Sequence, residues 1–401
     1  MTDDRPVLVG SCPSSGSTLL SVILDAHPDV HCGPELTWLS HPCVWRDTPV
    51  SRWRKALLSG LDRPDLTGLD RGRDGFCPWV DFIDSQNLPA YGWTHEALCQ
   101  AGREARGIHD LLERFYAKPL ARNGKTRWVD KSPTNLWSIP AFLERFPDGR
   151  GVVLVRDGRD VVASLVRRGY APELAAAIWL LETIRAVDLA HDDRVLLVRY
   201  EELVTSTRKV VEELIRHLEL SPASSEMLAF SESRRSAEDP TIQVDTWRKT
   251  PASPPDATLV GSYRTDLAPS ELGVISGVEV VTPPPGLAAS AGANFASLLD
   301  DLGYETASEP LSPEQGALVF RRLVDDGALL GASASDESWH LRWVGWNVPS
   351  CMGLLSPEDV LDLLRPLVSP SDSTPPERRE GAARAIQRWL GRQSTPRRAS
   401  R

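Results

Sequence analysis

No apolar run in this 401-residue chain approaches the ~20 residues needed to span a bilayer, so no membrane span is expected. The N-terminus, Met1-Thr2-Asp3-Asp4-Arg5, leads straight into a short apolar run and has no signal-peptide pattern. Cysteine is sparse: Cys12, Cys32, Cys43, Cys77, Cys99 and Cys351 form no CxxC pair and no compact framework. They read as free thiols of a reducing compartment, and a cytoplasmic location is expected. Positive charge is in deficit, with 45 Lys and Arg against 55 Asp and Glu and a net charge of −10. That excludes wholesale nucleic-acid binding and argues against a polyanionic acceptor. Lysine is scarcer still, at six of the 45 basic residues. Internal repeats and heptads are absent. What remains is ordinary globular composition, with 41% hydrophobic and 25% charged residues, long enough for one large α/β domain plus a smaller unit.

The stretch that organises the rest is Val7–Glu35, VLVGSCPSSGSTLLSVILDAHPDVHCGPE. Val7-Leu8-Val9 is short and apolar enough for a buried parallel strand. A Gly/Ser turn from Gly10 to Gly16 follows, then a helical pattern led by Ser17 and Thr18 with Leu19, Leu20, Ile23 and Leu24. Strand, Gly/Ser loop and helix N-terminus together bind phosphate: loop amides point inward, the helix dipole favours negative charge, and Ser15, Ser17 and Thr18 add hydroxyls. The competing reading is an ordinary strand-to-helix turn. A nucleoside-triphosphate loop, G-x4-G-K-[ST], does not fit, because five residues separate Gly10 from Gly16 and no Lys precedes Ser17.

Further along, residues 36–93 carry Trp38, Trp45, Trp53, Trp79 and Trp93 among many Pro and Gly, the composition of a lid or acceptor surface or of plain packing. Ile108, Leu111, Leu112 and Phe115 mark one face of a helix. Trp128-Val129 leads into Asp130-Lys131-Ser132-Pro133, and a helix is expected over 135–146. Gly151–Val155 is the clearest buried strand, followed by Arg156-Asp157-Gly158-Arg159-Asp160, with Asp160 as helix-starting acid. A helix over 173–190, a third buried strand at Val195–Val198, Arg199-Tyr200-Glu201 and a helix over 204–218 complete the alternation. That order implies a doubly wound, mostly parallel sheet with ligands at the carboxyl ends of its strands. Residues 221–260 read as loop, 269–277 as a short helix, and Leu302-Gly303-Tyr304-Glu305 as the end of the core. The expected organisation is therefore a 1–305 core with an insertion at 36–125, an extension at 306–368 holding WHLRWVGW, and a mobile Arg-rich tail at 369–401.

Four blocks in order, PSSGSTLL, DKSP, VLVRDGRDVVAS and RYEEL, with LDAHPDVHCGPE after the first, resemble the sulfotransferases that use 3′-phosphoadenosine 5′-phosphosulfate (PAPS). The resemblance covers roughly residues 5–305 and is nearest the tyrosylprotein and bacterial branch. It implies the P-loop sulfotransferase fold, PAPS as cosubstrate with 3′-phosphoadenosine 5′-phosphate (PAP) as product, and no metal. It also implies a hydroxyl acceptor, whether phenol, sugar, peptide or natural product. By the same resemblance Ser14, Ser15, Gly16, Ser17 and Thr18 wrap the 5′-phosphosulfate, and Arg156 and Ser164 bind the 3′-phosphate. Tyr200 of RYEEL and Arg264 of VGSYR also contact the cofactor. Glu35 is implied as general base and Lys131 as the cation at the leaving phosphate. An Arg at a strand end and a Ser in the next helix can converge on one phosphate from two sides. The bland readings are an ion pair of Arg156 with Asp157 or Asp160, and of Lys131 with Asp130.

One departure stands out: the family usually places Arg after the loop Pro, and here that position is Ser14. Either another Arg swings in from the 36–93 region, or 5′-side binding relies on amides. His27, His31 and Glu35 have i, i+4, i+8 spacing, but Pro28 and Gly33-Pro34 interrupt any helix, so they form no metal site. A small-molecule kinase needing ATP and Mg²⁺, and an inactive nucleotide-binding relative, are the alternative functions. A homodimer contact is one expected role for the C-terminal third.

Overall fold

The computed structural model describes residues 5–36, 39, 87–167, 172–230, 255–278 and 293–304. Trp38, Trp45, Trp53, Trp79, the 306–368 extension with its Trp cluster, and the 369–401 tail lie outside the described residues.

Among the described residues five strands form one sheet: β1 (Val7–Ser11), β2 (Val30–Cys32), β3 (Arg127–Lys131), β4 (Arg150–Val155) and β5 (Val195–Arg199). Their order is β2-β3-β1-β4-β5 and every pairing is parallel, with Val9 opposite both Lys131 and Val152. Parallel neighbours need crossovers, and helices supply them. These include α1 (Ser17–Asp25), α2 (His95–Glu104), α3 (Ile108–Asn123), α4 (Ile139–Arg145), α5 (Gly158–Val166) and α6 (Pro172–Leu189). After β5 come α7 (Tyr200–Thr205), α8 (Thr207–His217) and α9 (Ser224–Leu228). The α/β, mostly parallel class expected from the sequence is the one observed.

Alternate residues of each strand point to opposite faces, and both faces are apolar because helices cover both. Val7, Val9, Val129, Val152 and Leu154 pack in one layer with Leu20, Ile23, Val210, Leu214 and Met227. Leu8, Trp128, Val153 and Val155 pack in the other with Leu111, Leu112, Phe115, Ile139 and Phe142. That second layer is rich in rings. Tyr116 and Trp128 stack at 4.2 Å, and Trp93 lies parallel to Phe115 with its Nε1 donating to the Phe115 carbonyl at 2.9 Å. Stacked pairs add about 0.5–1.5 kcal/mol each beyond area burial, so Trp93 is core and not acceptor surface.

Several expected elements differ in detail. The 135–146 helix is a 3₁₀ turn over Pro133–Trp137 followed by α4, because Pro133 and Pro140 each start a new turn. The 204–218 helix is two helices that meet at Ser206. A short helix, α9, occupies part of the expected 221–260 loop. β5 is an edge strand and only half buried, with Leu196, Leu197 and Arg199 partly exposed. Asp160 stands in the first turn of α5, as a helix-starting acid, but the cap itself is Asp157, accepting from the Arg159 amide at 2.9 Å.

By compactness the chain divides into two units. The first holds 1–66, 77–169 and 179–267, and with them the whole sheet. It also contains a 3₁₀ turn at Ala257–Leu259 and α10 (Tyr263–Asp266). The second holds 67–76, 170–178 and 268–401. Its described parts include α11 (Pro269–Ser276) and α12 (Phe295–Asp301), joined where the Phe295 amide donates to the Val278 carbonyl at 2.8 Å. Among the described residues no helix is long and apolar enough to cross a membrane.

Candidate active site

The candidate site residues lie in the first unit, most of them at or just after the carboxyl ends of its parallel strands. Near the end of β1, Gly10 is still paired with Val153 of β4, and a Cβ there would meet the Leu136 backbone nitrogen at 2.5 Å. Only glycine lets the Pro133–Trp137 turn pack this closely. Ser14 (φ 65°) and Gly16 (φ 93°) both adopt the left-handed conformation, and α1 starts immediately after. Gly16 supplies no side-chain cap to α1, so no side chain competes for the first-turn amides of that helix. Ser11 Oγ is buried and without a hydrogen-bond partner among the described residues, as is Arg156 Nε. A strained loop, uncapped helix amides and orphaned donors are what an anion would complete, so the residues present fit a phosphate-bearing cosubstrate. Cys12 lines the same loop. Burial, and then the negative charge of Glu182, push its thiol up, against a smaller lowering by Ser15, so no thiolate opposes an anion here.

Arg156 follows β4 and is nearly buried. Its Nη1 donates to the Ser14 carbonyl at 3.1 Å and its Nη2 to the Leu259 carbonyl at 2.8 Å. The guanidinium lies 4.3 Å from the Tyr200 ring centre, and Nη2 is 3.6 Å from Asp160 Oδ2. Tyr200 in turn covers Gly16, where a Cβ would run into its ring, Cε2 at 2.8 Å and Cδ2 nearer still. Arg156 and Tyr200 thus clamp the 10–16 loop from the far side. Arg156 holds the backbone of Ser14, the position where the family usually has Arg; most of the 36–93 region, from which a replacement cation was expected, lies outside the described residues. The ion pair with Asp160 is present too, buried rather than on the surface. Trp179 Nε1 donates to the Arg156 carbonyl, and the Asp157 amide to Glu201 Oε1, both at 2.9 Å.

Asp160, fully buried, performs a task the sequence did not suggest. It accepts from the Gly261 amide at 2.8 Å, the Tyr263 amide at 3.0 Å and the Ser262 hydroxyl at 3.3 Å. One carboxylate therefore straps the 255–267 segment onto α5. Arg264 is exposed, 4.8 Å from the centre of the Tyr263 ring, on whose ring Arg159 also sits at 4.2 Å. Ser164 is half-buried in the second turn of α5. Among the described residues no hydrogen bond between it and Arg156 is seen.

At the other side of β1, Glu35 and Lys131 meet. Lys131 ends β3, opposite Val9, with a side chain only 2% exposed, and its Nζ is 3.2 Å from Glu35 Oε2. Glu35 follows β2, and its carbonyl accepts from Asn87 at 2.8 Å while the Pro34 carbonyl accepts from Tyr91 Oη at 2.6 Å. Asp130 is held by other partners: Tyr116 Oη (2.7 Å) and Asn135 Nδ2 (2.9 Å) donate to it, and burial pushes its carboxyl up against those bonds and a smaller pull from the Lys131 charge. Ser132, part of the DKSP block but given no role by the resemblance, places Oγ 3.3 Å from Glu35 Oε1. His27 pairs with the Ser221 carbonyl and the Asp29 amide, and His31 with Asp25. Among the described residues no group of His, Cys, Asp and Glu could hold a metal ion.

The model of the sulfotransferase family matches residues 6–224, more than half of the chain. The chain belongs to the sulfotransferase family. Curated relatives of this sulfotransferase include protein-tyrosine sulfotransferase 1 of zebrafish, 26% identical over 54% of this chain and 54% of its own length. The fruit-fly protein-tyrosine sulfotransferase is 24% identical over 53% and 38%. The chain thus spans about half the length, or less, of these two relatives. Among solved structures it resembles the sulfotransferase domain of the Synechococcus PCC 7002 olefin synthase. That match has 22% identity, covers 76% of this chain and 97% of that chain, and has a TM-score of 0.49. The cytoplasmic location expected above is corrected. The protein-tyrosine sulfotransferases of zebrafish, fruit fly and chicken contradict it. The N-terminal pattern and cysteine spacing that suggested it decide no compartment.

Proposed function

We propose that this sulfotransferase moves the sulfuryl group of PAPS to an acceptor hydroxyl, leaving PAP. The observation that carries the reading is the pairing of Glu35 with Lys131 at 3.2 Å, beside the strand that opens into the 10–16 loop. A carboxylate and an ammonium adjoining an anion site are the two groups that in-line sulfuryl transfer needs.

The amides and hydroxyls of Ser14, Ser15, Gly16, Ser17 and Thr18 would hold the 5′ side. Arg156, Ser164, Tyr200 and Arg264 would hold the nucleotide and its 3′-phosphate. PAPS supplies an activated sulfuryl group on a stable phosphate leaving group. Glu35 takes the proton of the acceptor hydroxyl, and Lys131 Nζ meets the negative charge that grows on the leaving oxygen. The reaction breaks one S–O bond to phosphate and forms one to the acceptor, and the proton ends on Glu35. Sulfate carries less charge than a phosphoryl group, so amide dipoles and Lys131 suffice without a metal. A phenol is the first acceptor to test, because the curated relatives are named for tyrosine.

Incubation with PAPS and a panel of tyrosine peptides, simple phenols and sugars, read by mass spectrometry, tests the proposal. The expected result is a mass gain of one sulfuryl group on a hydroxyl acceptor, absent in Glu35→Gln. Transfer from ATP instead of PAPS overturns it.

A further inference from the structure

We infer that Ser132 is the residue that orients the Glu35 carboxylate for proton transfer, a positioning role that rests on the base assignment above. The two oxygens of Glu35 are held by different chemistries: Oε2 faces the Lys131 ammonium at 3.2 Å and Oε1 accepts from Ser132 Oγ at 3.3 Å. Lys131 cannot serve as a fixed anchor, because the same Nζ is the cation needed at the leaving oxygen. When Lys131 turns to that charge, Oε1 remains bonded to Ser132. A neutral hydroxyl suits this task better than a second cation, since it sets the orientation while withdrawing less basicity from the carboxylate.

Ser132 is itself fixed from several directions and is fully buried. Its amide donates to the Val9 carbonyl at 3.2 Å, tying it to β1, and its own carbonyl accepts from the Asn135 amide at 3.1 Å. Its hydroxyl also lies 3.0 Å from Thr134 Oγ1, so the hydroxyl rotor is held between Thr134 and Glu35. Pro133 at the next position opens the 3₁₀ turn and sets the backbone of Ser132 in an extended conformation (φ −140°, ψ 139°). The side chain is therefore delivered by rigid elements, as a positioning group requires.

The test is a double-mutant cycle on turnover of PAPS with an acceptor from the panel above. Ser132→Ala should lower kcat about tenfold, the value of one oriented hydrogen bond, with acceptor KM and PAP affinity unchanged. Ser132→Thr, which keeps the hydroxyl, should restore most of the rate. Ser132→Cys, a weaker donor of similar size, should fall between and carries the test should the Ala variant not fold. In a Glu35→Gln background, Ser132→Ala should add little, because the two residues act through one proton transfer. Multiplicative losses, or an unchanged kcat in Ser132→Ala alongside an impaired Glu35→Gln, overturn the inference alone. The cycle uses whichever acceptor of the panel the wild type sulfates; a normal Glu35→Gln, or a wild type that sulfates none of them, overturns the base reading and the inference with it.

Discussion

Gly16→Ala is the sharpest perturbation of the loop. Gly16 has φ 93°, and the ring of Tyr200 fills the space a Cβ would need, with Cε2 at 2.8 Å. An L residue in the left-handed region costs about 1–2 kcal/mol. Carbon atoms pack at roughly 3.5–4.0 Å, so the ring must also retreat by about 1 Å, an overpacking cost of about 1–3 kcal/mol. The sum is about 2–5 kcal/mol, a large part of the total stability of a domain. The displaced ring carries Arg156 with it, and Arg156 holds the Ser14 carbonyl, so the loop should loosen as well. Urea denaturation should show a midpoint lower by about 1 M or more, and calorimetry a loss of PAP binding. Gly273→Ala is the control of opposite sign. Gly273 lies inside α11, where an added Cβ would meet nothing within 4 Å, so the methyl should stabilise that helix by about 0.5–1 kcal/mol. A Gly16→Ala protein with wild-type midpoint and wild-type PAP affinity would refute the reasoning.

Three further outcomes are expected. Arg156→Ala should weaken PAP binding tenfold or more while affecting adenosine 5′-phosphate less, since a charge-assisted contact to phosphate is worth about 1.5–3 kcal/mol; isothermal calorimetry measures both. Asp25 is pushed up by burial, but the His31 hydrogen bond, the Lys125 charge and the Cys32 amide outweigh it and hold the carboxyl well below the usual range. The native state therefore takes up this proton at lower pH than the unfolded chain. The stabilisation is present above about pH 4 and lost as pH falls below it, so Asp25→Asn should flatten the acid limb of urea midpoint against pH. Sulfuryl transfer should survive excess EDTA; a strict Mg²⁺ requirement would favour phosphoryl transfer.

Much of the site was legible because its signals are local. Val7-Leu8-Val9 followed by a Gly/Ser turn needs no distant partner to be read as strand and loop, and Val152–Val155 is likewise self-declaring. β2 and β3 were harder. β2 is three residues long, and β3 carries Arg127, Asp130 and Lys131 into a buried position, which alternation rules read as surface. Those charges are tolerated largely through partners distant in sequence. Arg127 donates to the Leu218 carbonyl, Asp130 is held by Tyr116, and Lys131 meets Glu35 from 96 positions away. The further task of Asp160 was hidden for the same reason. Its partners at 261–263 lie about a hundred residues downstream, where no sequence pattern points back to it. Ser132 was in view inside DKSP, yet a buried serine acquires a task only when the carboxylate it faces is known.

The central claim is that this site reads a 3′-phosphate as well as a 5′ group, and it can be tested before any acceptor is known. Titration calorimetry of the full chain with PAP and with adenosine 5′-phosphate, under the same salt, compares ligands that differ by that one phosphate. The account predicts PAP binding at least tenfold tighter, with the difference reduced in Arg156→Ala. Equal affinity for the two nucleotides would contradict it.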